Sequence, residues 1–189
     1  MKKLDCIFLL IFVSTVYLNA QYFHWAKSVS NYAYDITTDD MGNTYVAGSS
    51  YVSKYDANGN LQWSKSFGGA CAGIALDNTG NCYLVGSFLG TVTFGTTQIT
   101  SYGENDIFIA KYDSIGNFQW VQKAGGTSVD YGNGICTDNV GNSYITGSFN
   151  GTATFGTLQV TGGGIFIAKY NANGNCIWVK KAGNTGTTT

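Results

Sequence analysis

Trp63, Trp120 and Trp178 stand 57 and 58 residues apart, and the same text returns around each. One phrase is Asp39, Gly42, Asn43, Tyr45, Gly48, Ser49. It recurs as Asp77, Gly80, Asn81, Tyr83, Gly86, Ser87 and as Asp138, Gly141, Asn142, Tyr144, Gly147, Ser148. A second phrase is Lys54, Tyr55, Gly59, Asn60, Trp63. It recurs as Lys111, Tyr112, Gly116, Asn117, Trp120 and as Lys169, Tyr170, Gly174, Asn175, Trp178. Residues 106–125 match 164–183 at thirteen of twenty positions. A fixed period above about 40 residues means stacked or radially arranged units, each burying its apolar face against the next.

Each unit reads as four strands. In the second, Gly73–Asp77 and Cys82–Phe88 flank the turn Asn78–Asn81. Asp106–Tyr112 and Phe118–Lys123 flank the turn Asp113–Asn117. Glycine accepts positive φ in such turns without steric cost, and Asn and Asp tolerate it better than most residues. Thr91–Thr100 is rich in β-branched residues and is expected to add a small ribbon. The first unit lacks it, which marks the ribbon as peripheral. Ile107 and Ile109 alternate with Phe108 and Ala110, so this strand is apolar on both faces and needs a layer on each side. Leu61 with Trp63, Phe118 with Trp120, and Cys176 with Trp178 stand two apart, which predicts one shared face for each pair. The tryptophans are then packing between units. The expected class is all-β: a stacked or radial array of about three four-stranded antiparallel blades.

Composition agrees. The 189 residues hold 26 Gly, 13 Tyr and 11 Phe, no Pro and only 11% charged residues. Lys and Arg together number 10, all lysine, against 11 Asp and Glu. A nucleic-acid binder normally carries a basic stripe, and this chain has none.

Residues 1–20 read as a signal peptide: Lys2 and Lys3, an apolar run from Cys6 to Tyr17, and Ala20 before the expected cut. The run is short for a bilayer, which takes about 20 apolar residues. Removing it leaves eight Lys, ten acids and four cysteines, Cys71, Cys82, Cys136 and Cys176. An even count permits two disulfides. Their strand-like settings favour free buried thiols.

The wording D-x-x-G-N-x-Y-x-x-G-S, then I-F-I-A-K-Y, then G-N-x-x-W resembles the bacterial seven-bladed β-propeller-type repeat, the SBBP family, over about residues 25–182. The resemblance implies an all-β, β-propeller-type array of four-stranded antiparallel blades, here about three and so a partial or open propeller, in secreted or surface proteins of bacteria, often Bacteroidota, with no shared enzymatic activity and no defined catalytic residues. The resulting division is a signal peptide over 1–20 and a repeat region over 21–189, with repeats at about 25–62, 63–119 and 120–177 and the start of another at 178–189. Family members often carry a C-terminal sorting domain, and none is read here. Three repeats fall short of the four to eight blades that close a ring. Phe23–Ser28, around Trp25, reads as a fourth strand before any first strand. The expectation is therefore a longer product, an open arc, or chains associating through open blade edges.

The candidates for chemistry are few. Asp56, Asn58 and Asn60 alternate like the opening of a calcium loop, but Gly59 is fourth and the twelfth residue is Phe67. Asp39, Asp77 and Asp138 precede Gly-Asn and read as turn caps before channel-lining ligands. Glu104 and Asp106 read as a polar loop tip rather than a glycosidase pair. His24 lacks a nucleophile to pair with. Lys54, Lys111 and Lys169 form a ring suited to anions, or each closes a local contact with the following turn. Asp113-Ser114-Ile115 resembles an O-glycosylation tripeptide. No catalytic, cofactor-binding or metal-ligating residue is assigned, and no cofactor is expected. The function expected is a non-catalytic secreted or surface scaffold for binding or adhesion to a protein or glycan. The alternatives are a carbohydrate-binding propeller, suggested by 28 aromatic residues, or, further down, part of a larger propeller enzyme.

Overall fold

The computed structural model describes Ala26 and residues 32–182; the signal peptide, His24 and Trp25 lie outside the described residues. All regular structure among them is β. The first blade is β1 (Ala33–Thr38), β2 (Thr44–Gly48), β3 (Tyr51–Tyr55) and β4 (Leu61–Ser66), hydrogen-bonded in that order. The second begins with β5 (Ala70–Leu76) and β6 (Cys82–Phe88). It is interrupted by a hairpin, β7 (Thr91–Phe94) and β8 (Thr97–Thr100), then completed by β9 (Asp106–Tyr112) and β10 (Phe118–Gly125). The third repeats the plan: β11 (Tyr131–Thr137), β12 (Ser143–Phe149), hairpin β13 (Thr152–Phe155) and β14 (Leu158–Thr161), β15 (Gly164–Tyr170) and β16 (Cys176–Ala182). All strand pairs within blades are antiparallel. The four-stranded blades and the Thr91–Thr100 ribbon match the sequence reading.

The third strand of the second blade is buried from both sides. Phe108 and Ala110 belong to the apolar cluster shared with the first blade, which includes Tyr45, Val52 and Phe67. Ile107 and Ile109 belong to the cluster shared with the third blade, which includes Phe149, Phe166 and Tyr170. The alternation in the sequence thus maps onto two blade interfaces.

The fourth strand departs from expectation. Phe118 pairs with Tyr112 and Trp120 with Lys111, so a bulge places two steps of β10 against one of β9. The extra residue inverts the alternation. Phe118 packs toward the first blade and Trp120 toward the third. The same shift separates Leu61 from Trp63, and Leu61 is largely exposed. The single shared face read for these pairs is therefore incorrect. Cys136 is exposed and Cys176 half-buried, which corrects the expectation of four buried thiols; all four described cysteines are free.

The hairpins are clasps rather than ornaments. Phe94 of β7 stacks on Phe67, just after β4, with ring centroids 5.0 Å apart, and lies 4.9 Å from Phe108. Gly68 allows this approach, since a Cβ there would meet Val92 at 2.5 Å. In the next repeat Phe155 packs on Phe166, and Ala124 and Gly125 of β10 pair with Phe155 and Thr154 of β13. The hairpin of each of these blades thus grips the end of the blade before it. Truncating Phe94 to alanine opens a cavity across that grip and is expected to cost about 3–5 kcal/mol. Urea unfolding of the full chain measures it, and a loss below about 1 kcal/mol would show that the hairpin is not part of the clasp.

Candidate functional site

The recurring polar residues gather at one end of the blade junctions. Asp39 Oδ1 accepts the backbone N–H groups of Met41 and Asn43 at 3.1 and 2.9 Å, and Oδ2 accepts the Asn43 amide at 2.8 Å. Asp77 and Asp138 do the same with Asn81 and Asn142. The turn glycine, Gly42 at φ +78°, supplies the left-handed residue that a side chain would strain. The third-to-fourth strand turns copy this arrangement through Asp56 with Asn60 and Asp113 with Asn117. The calcium-loop alternative for Asp56 has no geometric support. Its oxygens receive N–H groups from Asn58, Asn60 and Gln62, which present positive dipoles where a cation would sit.

From these turns the network crosses between blades. The Lys54 ammonium lies 3.8 Å from Asp39 and 4.9 Å from the centre of the Tyr45 ring. It also donates to the Ser114 carbonyl of the second blade at 3.2 Å, and Trp63 Nε1 donates to the same carbonyl at 3.3 Å. One repeat later Lys111 lies 3.9 Å from Asp77, Tyr83 donates to the Gly141 carbonyl at 3.0 Å, and Trp120 Nε1 to Ala172 at 3.1 Å. The lysines therefore do close local contacts. The acid lies in the preceding turn, between the first and second strands, rather than in the following one. Ser114, in the glycosylation-like tripeptide, receives the neighbouring blade through its carbonyl.

Two shallow clefts of the same design result. One is lined by Asp39, Lys54, Asp77 and Ser114, the other by Asp77, Lys111, Val140 and Ala172. Asp77 belongs to both, because it caps a turn of the middle blade. No group of three or more His, Cys, Asp or Glu suited to a metal occurs among the described residues.

The structure also holds an acid pair that the sequence reading missed. Asp106, read as part of a loop tip, heads β9 and is fully buried, as is Asp130 just before β11. Glu104 beside it is exposed. The sequence signal was available: neither aspartate recurs in the other repeats.

Electrostatics divides the acids into two sets. Burial works upward on Asp39, Asp77 and Asp113, but hydrogen bonds from Asn43, Asn81 and Asn117 outweigh it and leave all three below the ordinary carboxylate value. The amides of Asn60 and Asn142 are the leading cause for Asp56 and Asp138, which are also lowered. Asp106 and Asp130 are raised, chiefly by burial. Burial also pushes Cys71 up to about 12, so its thiol stays protonated.

Lowered native values mean stabilisation that is complete above the unfolded value of about 3.9 and lost as pH falls through the native ones. The five turn aspartates should therefore fail together in acid. The urea midpoint is expected to drop steeply below about pH 4. Replacing Asp77 by alanine should lower the unfolding free energy at neutral pH by about 1 kcal/mol and flatten that acid slope. An unchanged slope would show that the caps are not its source.

Residues 119–152 match the family model described as SBBP, a beta-propeller repeat. An uncharacterized WD repeat-containing protein of Acanthamoeba polyphaga mimivirus is 42% identical over 59 residues, 31% of this chain and 4% of that protein. A crystal structure of a protein of unknown function from Bacteroides caccae superposes with a TM-score of 0.51 at 9% identity. The match covers 85% of this chain and 50% of that one, and it speaks to the fold alone. The chain thus spans half the length of the solved structure and a small part of the viral relative. The matched segment runs from β10 to the start of β13 and is an SBBP beta-propeller repeat, and its wording recurs in the blades on either side.

Proposed function

We propose that this propeller-repeat chain is a non-catalytic scaffold, exported from the cell, that binds a protein or glycan ligand through the loops at its blade junctions. The observation that carries this reading is the use of the repeated chemistry. Trp63 and Trp120, Lys54, and Asp39 and Asp77 are all engaged in holding turns or neighbouring blades. A catalytic set needs groups left free to act on a substrate. The repeated lysines and aspartates are instead consumed in structure.

What varies between repeats is the loop surface. Met41, Val140 and Ile115 project at turn positions, Leu89 at the start of the second-blade hairpin, and Tyr102 after its end. Variable loops on a rigid frame are where binding residues usually lie. The carbohydrate-binding alternative gains less support. Sugars stack on open aromatic faces, whereas Trp63 and Trp120 are partly buried and hydrogen-bonded across blades. Export rests on the N-terminal signal text. Among the described residues no helix is long and apolar enough to cross a membrane.

The test is binding of the fluorescently labelled protein to the surface of the producing cells. Saturable binding that survives excess free monosaccharide is expected, together with no turnover of glycoside or ester substrates. Competition by monosaccharide at about millimolar level, a weak-site affinity, would replace the scaffold reading with the lectin one. Turnover proportional to protein concentration would overturn both.

A further inference from the structure

Apart from the ribbon that the first repeat lacks, the repeats depart from one another most at a single place, the junction of the second and third blades. Between Thr100 and Ile107 the second repeat has the loop Ser101–Asp106, where the third has only Gly162–Gly164. Between Gly126 and Tyr131 the linker Thr127–Asp130 is inserted, whereas Gly69 runs directly into Ala70 one repeat earlier. The two insertions meet. Asp130 N–H donates to the Asn105 carbonyl at 2.7 Å, and a Cβ on Gly103 would collide with the Thr127 backbone. Each insertion brings one aspartate, and both are fully buried.

Three of the four carboxylate oxygens are satisfied. Asp106 Oδ2 accepts Tyr102 N–H at 2.7 Å; Asp130 Oδ2 accepts Gly126 N–H at 2.7 Å and Oδ1 accepts Asn150 N–H at 3.0 Å. The fourth, Asp106 Oδ1, is buried without a partner. It and Asp130 Oδ2 border the same spot: both lie within 2.8 Å of the point where a Cβ on Gly125 would stand. Among the described residues no cation forms an ion pair with either carboxylate; the Lys123 charge draws Asp106 down in part but does not offset burial. Lys123 of β10 donates instead to the Thr100 carbonyl at 2.6 Å and sits 3.6 Å from the centre of the Tyr102 ring. Glu104 of the loop is exposed, and the turn after β12 brings Asn150, which is neutral. The chain has no arginine.

We propose that Asp106 and Asp130 share one proton, held on Asp106 Oδ1 and directed at Asp130 Oδ2, and that this proton latches the two inserted loops together. Two buried like charges side by side are too costly without a third partner, so one of them stays neutral. A calcium ion would need six to eight oxygens, and here one oxygen is left over and no third acid joins the pair among the described residues. A proton needs only the two. Burial and the charge of Asp130 push the Asp106 carboxyl upward, and burial pushes Asp130 upward, as sharing requires. The sign follows. With native values above the unfolded one, the stabilisation is complete in acid and is lost as pH rises through the native values, the proton passing to solvent. The turn aspartates act in the opposite sense and are already ionised in that range.

Thermal unfolding of the full chain from about pH 4 to about pH 8, for wild type and Asp106→Asn, tests this. The amide carries its own N–H toward Asp130 and cannot ionise. Wild type is expected to melt lower as pH rises, while Asp106→Asn holds its midpoint and exceeds wild type at pH 8 by about 2–8 °C. Protection against hydrogen exchange at Tyr102, Gly126 and Asn150, taken relative to the intrinsic base-catalysed rate, should fall with pH in wild type alone. If Asp106→Asn fails to fold, Asp130→Asn provides the same comparison, since it removes the other charge. Parallel pH curves for wild type and the folded variant would overturn the proposal. So would a rise in the wild-type midpoint on adding calcium chloride that Asp106→Asn does not share, which would make the pair a metal site.

Discussion

Burial of one strand from two sides organises this molecule. β9 carries Phe108 and Ala110 on one face and Ile107 and Ile109 on the other, and all four are fully buried. A single sheet cannot bury both faces of its own strand. Each blade therefore depends on neighbours, as in other repeat architectures where interface terms add to intrinsic ones. Fully burying an isoleucine or phenylalanine contributes about 1.5–3 kcal/mol, so removing either neighbour would expose a large share of the middle blade's apolar stabilisation. The hairpin clasps through Phe94 and Phe155 extend the same dependence to the blade rims.

Polar groups follow from that arrangement. Blades that pack face to face bring their turns close together at one end, and the carbonyls of those turns need donors. Trp63, Lys54, Tyr83 and Trp120 supply them from the adjacent blade. The residue types recur because the carbonyl positions recur. Repetition of Asp, Tyr, Lys and Trp here is therefore explained by structure, and functional departures have to be sought where repetition stops.

Much of this was legible in the sequence. The period fixed the number of blades, the strand over Asp106–Tyr112 was readable to the residue, and Thr91–Thr100 was readable as a ribbon. The bulge between Phe118 and Trp120 was not, because period-two alternation has no local mark for one extra residue. The Asp106–Asp130 pair was hidden for another reason. The two acids come from insertions in different repeats, and nothing in either loop alone says that the loops meet. Only the misalignment of the repeats marked the place.

The contrast between equal residues in the second and third blades shows what local sequence cannot decide. Ile165 and Ile167 are the counterparts of Ile107 and Ile109 within the same I-F-I-A-K-Y text. The earlier pair is wholly buried, whereas Ile165 is 56% and Ile167 40% exposed. Phe166 and Ala168, which face the second blade, are buried like Phe108 and Ala110. The difference lies in the neighbour, since the third blade meets a described partner on one face only. Burial in a repeat is a property of the pair of repeats. The second blade, with both interfaces filled, is consequently the unit whose strands should resist local opening longest. The acid latch sits on that same unit, where loosening two loops acts on the interface joining it to the third blade.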